Sequence, residues 1–543
     1  MNNNGKSLDK ANGSGLSGSL GVPHHQHPSY KWWVLANVMM GTFMVVLDST
    51  IVDVSLAKVM ATFGVGIDTV KWIATGYLLA FAIFLPTSGW IADHYGFRKT
   101  YSLGLALFTL GSLLCSISWN MTALIMFRVI QGAGGGLLMP VGMAIVVREF
   151  PLEQRGTALG FWAIAAAASV SLGPTLGGYL IDNFAWHSIF DINVPVGILG
   201  VFATLVIQRE YKVESRRAFD IIGFLSMVLF LAPLLIALSD GNASWNTGGW
   251  TSPFVLICFA LSLIGLVTFL AVELNIRHPL IELNLLKNFN FGMSNLVLFI
   301  FGMGMFGSTF LLPLYLQNGL GFTAFQAGSL FLPLGLIMAV MGPISGMLSD
   351  KLNPKVIAVA GITLLGLSLF VNQYLSLFSM TSEIMVSLYL RGFGMALIFT
   401  PLNTLSLAEV PRARLAQASG LFNVIRQIGG SFGVAIMGTL LTDRTIFHDT
   451  VYGQVVSKVS PVTQSVLLGL QGFAQRALGS SVSVAAMRAN ALLAYNISQQ
   501  AFVSAVDDDF LVAALITMVC VVPIIFLRYR KPEGERVKVV AMD

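Results

Sequence analysis

Long apolar runs recur along this chain and limit what it can fold into. Each run is about 20 residues long, the length of a helix that crosses the hydrocarbon core of a bilayer. The runs are continuous rather than alternating, which favours membrane helices over a β-barrel. We count fourteen of them, at residues 32–55, 70–92, 100–118, 121–147, 157–180, 189–207, 219–239, 253–273, 291–317, 325–349, 355–375, 383–406, 415–441 and 508–528. The sequence therefore predicts an all-α membrane protein.

The composition excludes the main alternatives to a membrane protein. Charged residues make up 10% of the 543 residues and hydrophobic residues 55%, whereas a soluble domain carries about 25% charged residues. A soluble enzyme and a disordered chain are both excluded on this ground. Only 3 Cys are present, each inside an apolar run, so neither a disulfide scaffold nor a metal site is expected. The net charge of +5 is assigned to cytoplasmic loops and not to nucleic-acid binding.

The positions of Lys and Arg predict the orientation in the membrane. If the N-terminus is cytoplasmic and the chain crosses fourteen times, 22 of the 31 Lys and Arg fall on the inner side and 6 on the outer side. An odd number of crossings would scramble this bias. Both termini are therefore expected in the cytoplasm. Three arginines are left inside the predicted spans, namely Arg128, Arg391 and Arg426.

Two pairs of segments repeat at corresponding places in the two ends of the chain. Residues 89–99 and 346–355 each read Gly, three residues, Asp and then basic residues, at the inner end of a span. Arg128 in the fourth span and Arg391 in the twelfth are each followed closely by Gly. The sequence thus predicts two six-helix halves with two helices inserted between them. Repeats of this kind are typical of transporters, which bind their substrate between the halves.

The repeat of two six-helix halves divides the chain into five predicted parts. The parts are a disordered cytoplasmic tail at 1–30, an N-terminal half at 31–210, two inserted helices at 211–290, a C-terminal half at 291–530 that includes the outer loop 442–507, and a cytoplasmic tail at 531–543. Within the outer loop, the stretches 462–478 and 482–502 are expected to form amphipathic helices.

Asp48 and Arg128 are the strongest candidates for function. An ionisable side chain at membrane depth is costly and marks a functional site by default. A carboxyl group such as Asp48 can bind and release a proton, and Arg128 needs an acceptor, for which Asp48 is the obvious partner. A static structural ion pair is the alternative. Asp53 lies nearer the outer surface and is either functional or simply solvated; Asp191, Arg391 and Arg426 are secondary candidates for proton or substrate binding.

Two further groups of residues are candidates for conformational roles. At the inner ends of two spans a carboxylate, a turn and basic residues predict a cytoplasmic gate, although turn formation and topology explain the same pattern. Proline and glycine in the fifth span predict a closely packed hinge. The gate residues are Gly89, Asp93, Gly96, Arg98, Lys99 and Asp350, and the hinge residues are Gly173, Pro174, Gly177 and Gly178.

Taken together, these motifs resemble those of the major facilitator superfamily. Residues 47–52, 89–99, 128–132, 173–178 and 186–197 resemble the motifs of its fourteen-helix drug:proton antiporters, the EmrB/QacA type, and the chain is most similar to the EmrB branch. The resemblance implies a multi-pass protein of the bacterial inner membrane that exports amphipathic, hydrophobic toxic compounds by alternating access. It also implies that proton influx is the energy source, with no cofactor, and that Asp48 and Arg128 couple proton to substrate.

The resemblance leaves the partners and the substrate open. The 442–507 loop resembles that of the EmrB branch, which implies a periplasmic adaptor and an outer-membrane channel, whereas related Gram-positive pumps act without partners. An exporter of one metabolite class, such as a fatty acid, siderophore or lipid, fits the same sequence. A membrane enzyme or sensor is disfavoured, because no phosphate-binding loop, zinc-protease motif or nucleophile elbow occurs in the sequence.

Overall fold

A computed structural model describes most of the chain. It covers residues 29–211, 218–241, 243, 245–276, 279–407, 410, 415–456, 460–478 and 481–528. These residues form helices joined by short connections, and none of them is in a strand. The predicted all-α class is therefore confirmed. The tails predicted at 1–30 and 531–543 lie outside the described residues, apart from the two that lead into the first helix.

Eighteen α-helices are described. Several predicted spans consist of two consecutive helices, since the chain bends within the span. The helices are α1 (Tyr30–Phe63), α2 (Ile67–Tyr95), α3 (Phe97–Ser116), α4 (Met121–Glu149), α5 (Leu152–Asn183), α6 (Ser188–Asp191), α7 (Asn193–Ile207), α8 (Ile221–Asp240), α9 (Pro253–Asn275), α10 (Phe289–Leu314), α11 (Ala324–Ser329), α12 (Leu332–Lys351), α13 (Pro354–Val371), α14 (Thr381–Leu407), α15 (Leu415–Val455), α16 (Pro461–Leu478), α17 (Val482–Val519) and α18 (Val521–Phe526).

Within the described residues, 12 helical segments are long and apolar enough to cross a membrane. They coincide with twelve of the fourteen predicted runs. The other two runs, 100–118 and 157–180, coincide with α3 and α5, which are not among the 12. The helical character of all fourteen runs is thus observed, and the count of fourteen crossings stays a prediction.

Local chemistry sets where several helices begin. The Asn120 side chain accepts a hydrogen bond from the backbone N–H of Ala123 at 2.7 Å and caps α4. Ser252 caps α9 with Pro253 in the first turn, and Thr323 and Gln326 form a capping box on α11. Each cap satisfies backbone N–H groups that the first turn of a helix leaves without partners.

The helices form two bundles and a pair. We call α1–α7 the N-terminal bundle, α8–α9 the inserted pair and α10–α18 the C-terminal bundle. In the first, α4 packs between α2 and α3, and α1 packs against α5; in the second, α15 packs against α10 and α17. α8 and α9 pack mainly on each other, and α8 also contacts α2 and α15. The domain boundaries predicted from the sequence stay predictions.

The two ends of the bundles are distinguished as follows. We call the end where α1 begins the terminal face, and the opposite end the distal face. At the terminal face the backbone N–H of Arg209, after α7, donates to the Tyr30 hydroxyl at 3.0 Å. The side chain of Asn290, at the start of α10, donates to the Arg528 carbonyl, after α18, at 2.8 Å. Between these two contacts the chain runs out along α8 and back along α9, since Asp220 at the start of α8 and Glu273 near the end of α9 both border Gly223. The two ends of the described chain therefore lie at the same face.

The segment 442–507, expected to be an outer loop that contains two amphipathic helices, is largely helical in its described residues. α15 continues to Val455, α16 spans Pro461–Leu478 and α17 already begins at Val482. The two predicted amphipathic stretches are thus confirmed as helices. Asp508 on α17 pairs with His448 of α15 at 2.9 Å and with Arg444 at 3.6 Å. A helix can continue beyond the membrane when its polar side chains pair in this way, so the end of an apolar run did not mark the end of the helix.

Candidate proton-coupling site

A buried ion pair joins α1 to α4 in the middle of the N-terminal bundle. Asp48 is 0% exposed and Arg128 is 1% exposed. Nη1 of Arg128 lies 2.5 Å from Oδ2 of Asp48. The partnership that the sequence predicted is therefore present in the structure. Removing one partner of such a pair strongly destabilises the folded protein, because the other charge stays buried without compensation.

Two amides complete the hydrogen bonding of Asp48. Nε2 of Gln131 and Nδ2 of Asn193 each donate to its Oδ1 at 2.8 Å. Gln131 is itself held by Arg128, whose Nη1 donates to Oε1 at 2.6 Å, and by Ser112, whose hydroxyl accepts from Nε2 at 2.6 Å. Asp48 thus accepts three hydrogen bonds and faces donors only.

Backbone and aromatic groups surround the Arg128 guanidinium. Its Nε donates to the Ile73 carbonyl at 3.3 Å. Its carbon lies 4.1 Å from the centre of the Tyr77 ring, within the range of a cation–π interaction. The cation is therefore held in place on the α2 side as well as by Asp48.

This arrangement suits the ionised carboxylate. A carboxylate without a proton only accepts hydrogen bonds, and arginine only donates them. A protonated Asp48 would donate a hydrogen bond. Either one of the present donors would have to move away, or one of the two amides would have to turn its oxygen toward the carboxyl group. Gln131 is fixed by Arg128 and Ser112, which leaves Asn193 as the amide with freedom to turn.

Sequence reasoning gave Gln131 and Asn193 little weight. Gln131 lies one turn after Arg128 and so on the same face of α4, which is the signal that could have identified it. Asn193 opens α7, 145 residues after Asp48, and no spacing rule connects the two.

Asn193→Ala is expected to weaken the coupling between proton movement and transport. The substitution removes one of the three donors that hold the Asp48 carboxylate. The measurement is the ratio of protons moved to substrate transported in proteoliposomes. Asn183→Ala, at an exposed amide that bonds only within α5, is the control. An unchanged ratio would show that Asn193 is merely structural.

The other intramembrane candidates lie in separate environments. Asp53 on α1 is 8% exposed, so the structure does not place it in solvent, and its charge interacts with that of Arg391. The Arg391 side chain is buried on α14 and donates to the Ser308 hydroxyl of α10. Asp53 and Arg391 thus belong to different bundles, and the charge of Arg128 acts on Asp53 as well.

Arg426 and Asp191 are not part of the Asp48 cluster. Nη2 of Arg426 donates to Oδ1 of Asn423 at 3.3 Å, and its guanidinium lies 5.2 Å from the centre of the Phe399 ring. Asp191 is exposed and accepts a hydrogen bond from the Ser116 hydroxyl at the end of α3. The polar residue from this passage that reaches Asp48 is Asn193.

The predicted gate residues gather at the terminal face. Gly89 is exposed, Asp93 half-buried and Lys99 exposed, and the side chain of Asp350 lies outside the described residues. Gly96 joins α2 to α3 with φ of 104°, a backbone conformation that favours glycine.

An unforeseen contact lies at this turn. The backbone N–H of Arg98 donates to Oε1 of Glu210 at 3.1 Å, and that of Phe97 donates to the Tyr211 carbonyl at 3.0 Å. The segment after α7 thus caps α3, and a carboxylate at the start of a helix is favourable.

The predicted hinge packs between the two bundles. Gly173 and Gly177 border Thr50 and Ile51 of α1, so there is no space for a side chain at either position. On its other side, Gly178 borders Ala324 of α11 in the same way. The motif therefore links the helix that carries Asp48 to the C-terminal bundle.

Hydrogen bonds between the bundles lie toward the distal face in the described part of the chain. Thr175 Oγ1 donates to the Gly328 carbonyl at 3.1 Å, and Asp182 accepts from the backbone N–H of Phe325 at 2.8 Å. Nε2 of Gln317, in the turn that continues α10, donates to the Val54 carbonyl at 2.8 Å. The distal ends of the bundles are thus closed against each other.

Lys71 is a buried cation at the start of the predicted run 70–92, although the orientation count includes it among the 6 Lys and Arg on the outer side. It is 0% exposed on α2. Its Nζ donates to Oγ1 of Thr439 on α15 at 2.9 Å and to the Ser239 carbonyl on α8 at 2.6 Å, and lies 3.7 Å from Asp68. Lys71 therefore joins both bundles and the inserted pair near the distal face.

Lys71→Met is expected to increase the population that is open at the distal face. Methionine keeps most of the apolar stem but loses the ammonium group that bonds to Thr439 and Ser239. The measurement is the distance distribution between spin labels at Asn183 and Thr381, both exposed. Lys58→Met, at an exposed lysine, is the control. A distribution identical to that of the unsubstituted protein would contradict the role given to Lys71.

Comparison with known proteins identifies the family. The family model described as Major Facilitator Superfamily matches residues 38–434. The chain belongs to the major facilitator superfamily. It is therefore a membrane transporter and not an enzyme. The relationship rests on most of the chain, since the match extends from α1 through the inserted pair into α15 and ends before α16.

Two relatives show how far the similarity within the superfamily extends. The uncharacterized MFS-type transporter YhcA of Bacillus subtilis is 30% identical over 498 residues, 91% of this chain and 92% of the relative. Multidrug export protein EmrB of Escherichia coli is 30% identical over 486 residues, 88% of this chain and 92% of the relative.

A solved structure agrees with the superfamily fold. It is the crystal structure of a bacterial homolog of the human lysosomal transporter Spinster, in an inward-facing and unoccupied conformation. It aligns with a TM-score of 0.59 and 16% identity, covering 93% of this chain and 99% of that one. At this identity the match supports the fold alone.

Proposed function

We propose that this transporter is a proton-driven antiporter that exports amphipathic, hydrophobic toxic compounds across the bacterial inner membrane. The observation that carries the proposal is the buried Asp48 with its donors Arg128, Gln131 and Asn193. A titratable group at membrane depth, held next to a permanent cation, is suited to carry a proton. The multidrug export name of the Escherichia coli relative favours several substrates over one metabolite class.

The terminal face is proposed to be cytoplasmic. Most Lys and Arg outside the predicted spans belong to the segments that join spans at the terminal face. This is the bias expected for the cytoplasmic side. With this orientation, closure at the distal face makes the conformation inward-facing. Substrate then enters from the cytoplasm between the two bundles.

The transport cycle follows from the charge state of Asp48. Substrate that enters from the cytoplasm displaces the proton, and the ionised carboxylate accepts from Arg128, Gln131 and Asn193. The bundles rock, the substrate leaves outward and Asp48 is protonated again from outside. An ionised Asp48 in the inward-facing conformation is the state that this order requires after proton release.

The hinge offers a route from Asp48 to the movement of the bundles. Thr50 and Ile51, which follow Asp48 on α1, pack against Gly173 and Gly177. The same stretch of α5 packs on α11. When α1 adjusts to a change at Asp48, the contact between α5 and α11 adjusts with it, because there is no free space between these helices.

Substrate-driven proton movement tests the proposal directly. Purified protein in proteoliposomes with a pH-sensitive dye is expected to move protons when a transported compound is added, and a growth panel in a pump-deficient host supplies the compounds. Liposomes without protein are the control. Export that continues at the same rate after a protonophore collapses the gradient would overturn the antiport mechanism.

A periplasmic adaptor is a proposed partner, with an outer-membrane channel beyond it. The support is the helical extension of the distal face, formed by the end of α15, α16 and the start of α17, together with the similarity to EmrB. Apolar side chains on α16, among them Leu468 and Phe473, are exposed. A partner that covers them would bury apolar surface.

Replacing residues 456–481 with a short Gly-Ser linker is expected to spare folding and to remove the adaptor. Most of the removed residues belong to α16, which lies outside the predicted spans. The measurement is copurification with an adaptor from the same bacterium. Leu468→Asp with Phe473→Asp is a second variant that leaves the chain length unchanged. Unaltered copurification of both variants would contradict the proposal.

A further inference from the structure

Two buried carboxyl groups meet in the inserted pair at the terminal face. Asp220 precedes α8 and is 6% exposed, and Glu273 lies near the end of α9 and is 1% exposed. Oδ1 of Asp220 accepts from the backbone N–H of Gly223 at 2.7 Å, and Oε2 of Glu273 accepts from that of Ile281 at 3.1 Å. One oxygen of each group is thus engaged by the backbone.

The other two oxygens lie beside the same glycine, Gly223. Oδ2 of Asp220 and Oε1 of Glu273 are buried and have no hydrogen-bond partner in the described part of the chain. Both border the point where a Cβ atom of residue 223 would stand, which only glycine leaves empty. The two carboxyl oxygens therefore crowd the same point, and no side chain could stand there.

The surroundings supply no described counter-charge. The charge that acts on Glu273 among the described residues is that of Asp220. The next described titratable groups along the chain after Glu273 are Glu282 and Lys287, and His94 at the end of α2 stacks on Trp90, which also contacts the Phe219 ring. Neither unpartnered oxygen accepts a hydrogen bond from them. Two buried ionised carboxylates in this position would repel each other without compensation.

We propose that Asp220 and Glu273 form a proton-binding site in which the two carboxyl groups share one proton across Gly223. A single proton turns one group into a donor and the other into its acceptor, which satisfies both free oxygens. The proton resides on Glu273. Asp220 stands at the start of α8, where the helix dipole favours an anion, and Glu273 stands at the end of α9, where the dipole disfavours one.

The site connects the inserted pair to the C-terminal bundle. Glu273 holds Ile281, in the segment that leads from α9 to α10. Loss of the shared proton makes the end of α9 and the start of α8 repel each other, which displaces this segment. The inserted pair thus responds to pH at the terminal face. This property is separate from the coupling proposed for Asp48, which lies in another bundle.

Infrared difference spectroscopy of the purified, full-length protein tests the site. As the pH is raised, the unsubstituted protein is expected to lose the carbonyl band of a protonated carboxyl group. Glu273→Gln removes this band and Asp220→Asn shifts it, whereas Asp48→Asn and the exposed-site control Asp449→Asn leave it in place. The result is therefore independent of whether Asp48 couples transport.

Two outcomes would overturn the proposal. A spectrum of Glu273→Gln that matches the unsubstituted protein at every pH would show that no proton is bound there. Displacement of the band by Ca²⁺ or Na⁺ at constant ionic strength would make the site a cation site. If Glu273→Gln fails to fold, Glu273→Asp serves instead, since a carboxyl group in a new position must shift the band; an unshifted band rejects the assignment.

Discussion

Asp48→Asn is expected to abolish proton-coupled export while the protein still folds and inserts. Asparagine has nearly the shape of aspartate and still offers an oxygen to Arg128. It cannot bind and release a proton, so the cycle loses its coupling step. The remaining contacts of α1 with α4, α5 and α7 are unchanged. We therefore expect normal expression and no substrate-driven proton movement.

The measurement uses inverted membrane vesicles with a pH-sensitive dye. Unsubstituted protein is expected to release protons when a transported compound is added, and Asp48→Asn to stay at the level of vesicles without the protein. Asp449→Asn makes the same chemical change at an exposed carboxylate of α15 and serves as the control. Proton release by Asp48→Asn would show that another group, with Asp53 the first candidate, carries the proton.

Arg128→Ala is expected to abolish transport and to destabilise the N-terminal bundle. Breaking a buried ion pair by removing one partner costs about 3–5 kcal/mol, because the other charge is left uncompensated. Here Gln131 also loses the hydrogen bond that Arg128 donates to its Oε1. That bond orients the Gln131 amide, whose Nε2 donates to Asp48. Both effects follow from one substitution, which makes the stability loss large.

A double variant separates a structural role from a coupling role. Asp48→Asn with Arg128→Ala removes both charges and is expected to recover much of the thermal stability in detergent without recovering transport. Arg128→Lys keeps the positive charge, but the lysine ammonium group lacks the fixed fork of N–H donors through which a guanidinium bonds to several acceptors at once. Near-normal export by Arg128→Ala would reduce Arg128 to a structural role, and the static ion pair would then be the better interpretation.

Much of the fold was predictable because the membrane imposes local rules. A helix that crosses a bilayer must satisfy its own backbone and present apolar side chains, so every predicted run coincides with a helix. The rule ends at the membrane surface. Beyond it, α15 and α17 continue as helices into the segment 442–507, where polar groups such as His448 and Asp508 pair.

The candidate site was predictable in part for a related reason. Charge is scarce at membrane depth, so Asp48 and Arg128 stood out, and their opposite signs suggested a pair. The uncharged amide of Asn193 is not unusual in an apolar run and gave no such signal. Lys71 was missed because it lies near the start of a span, where a lysine normally reaches solvent, whereas packing of α2 against α15 and α8 buries it.

The sequence by itself determined the helical class, the apolar runs and the few charges that must be explained inside the membrane. These depend on each residue's transfer from water to lipid, which composition and order express directly. Only the tertiary structure decided that three donors converge on Asp48, that Lys71 closes the distal face and that Asp220 meets Glu273. Those contacts depend on how helices distant in the chain pack together, and the spacing of residues along the chain does not encode that geometry.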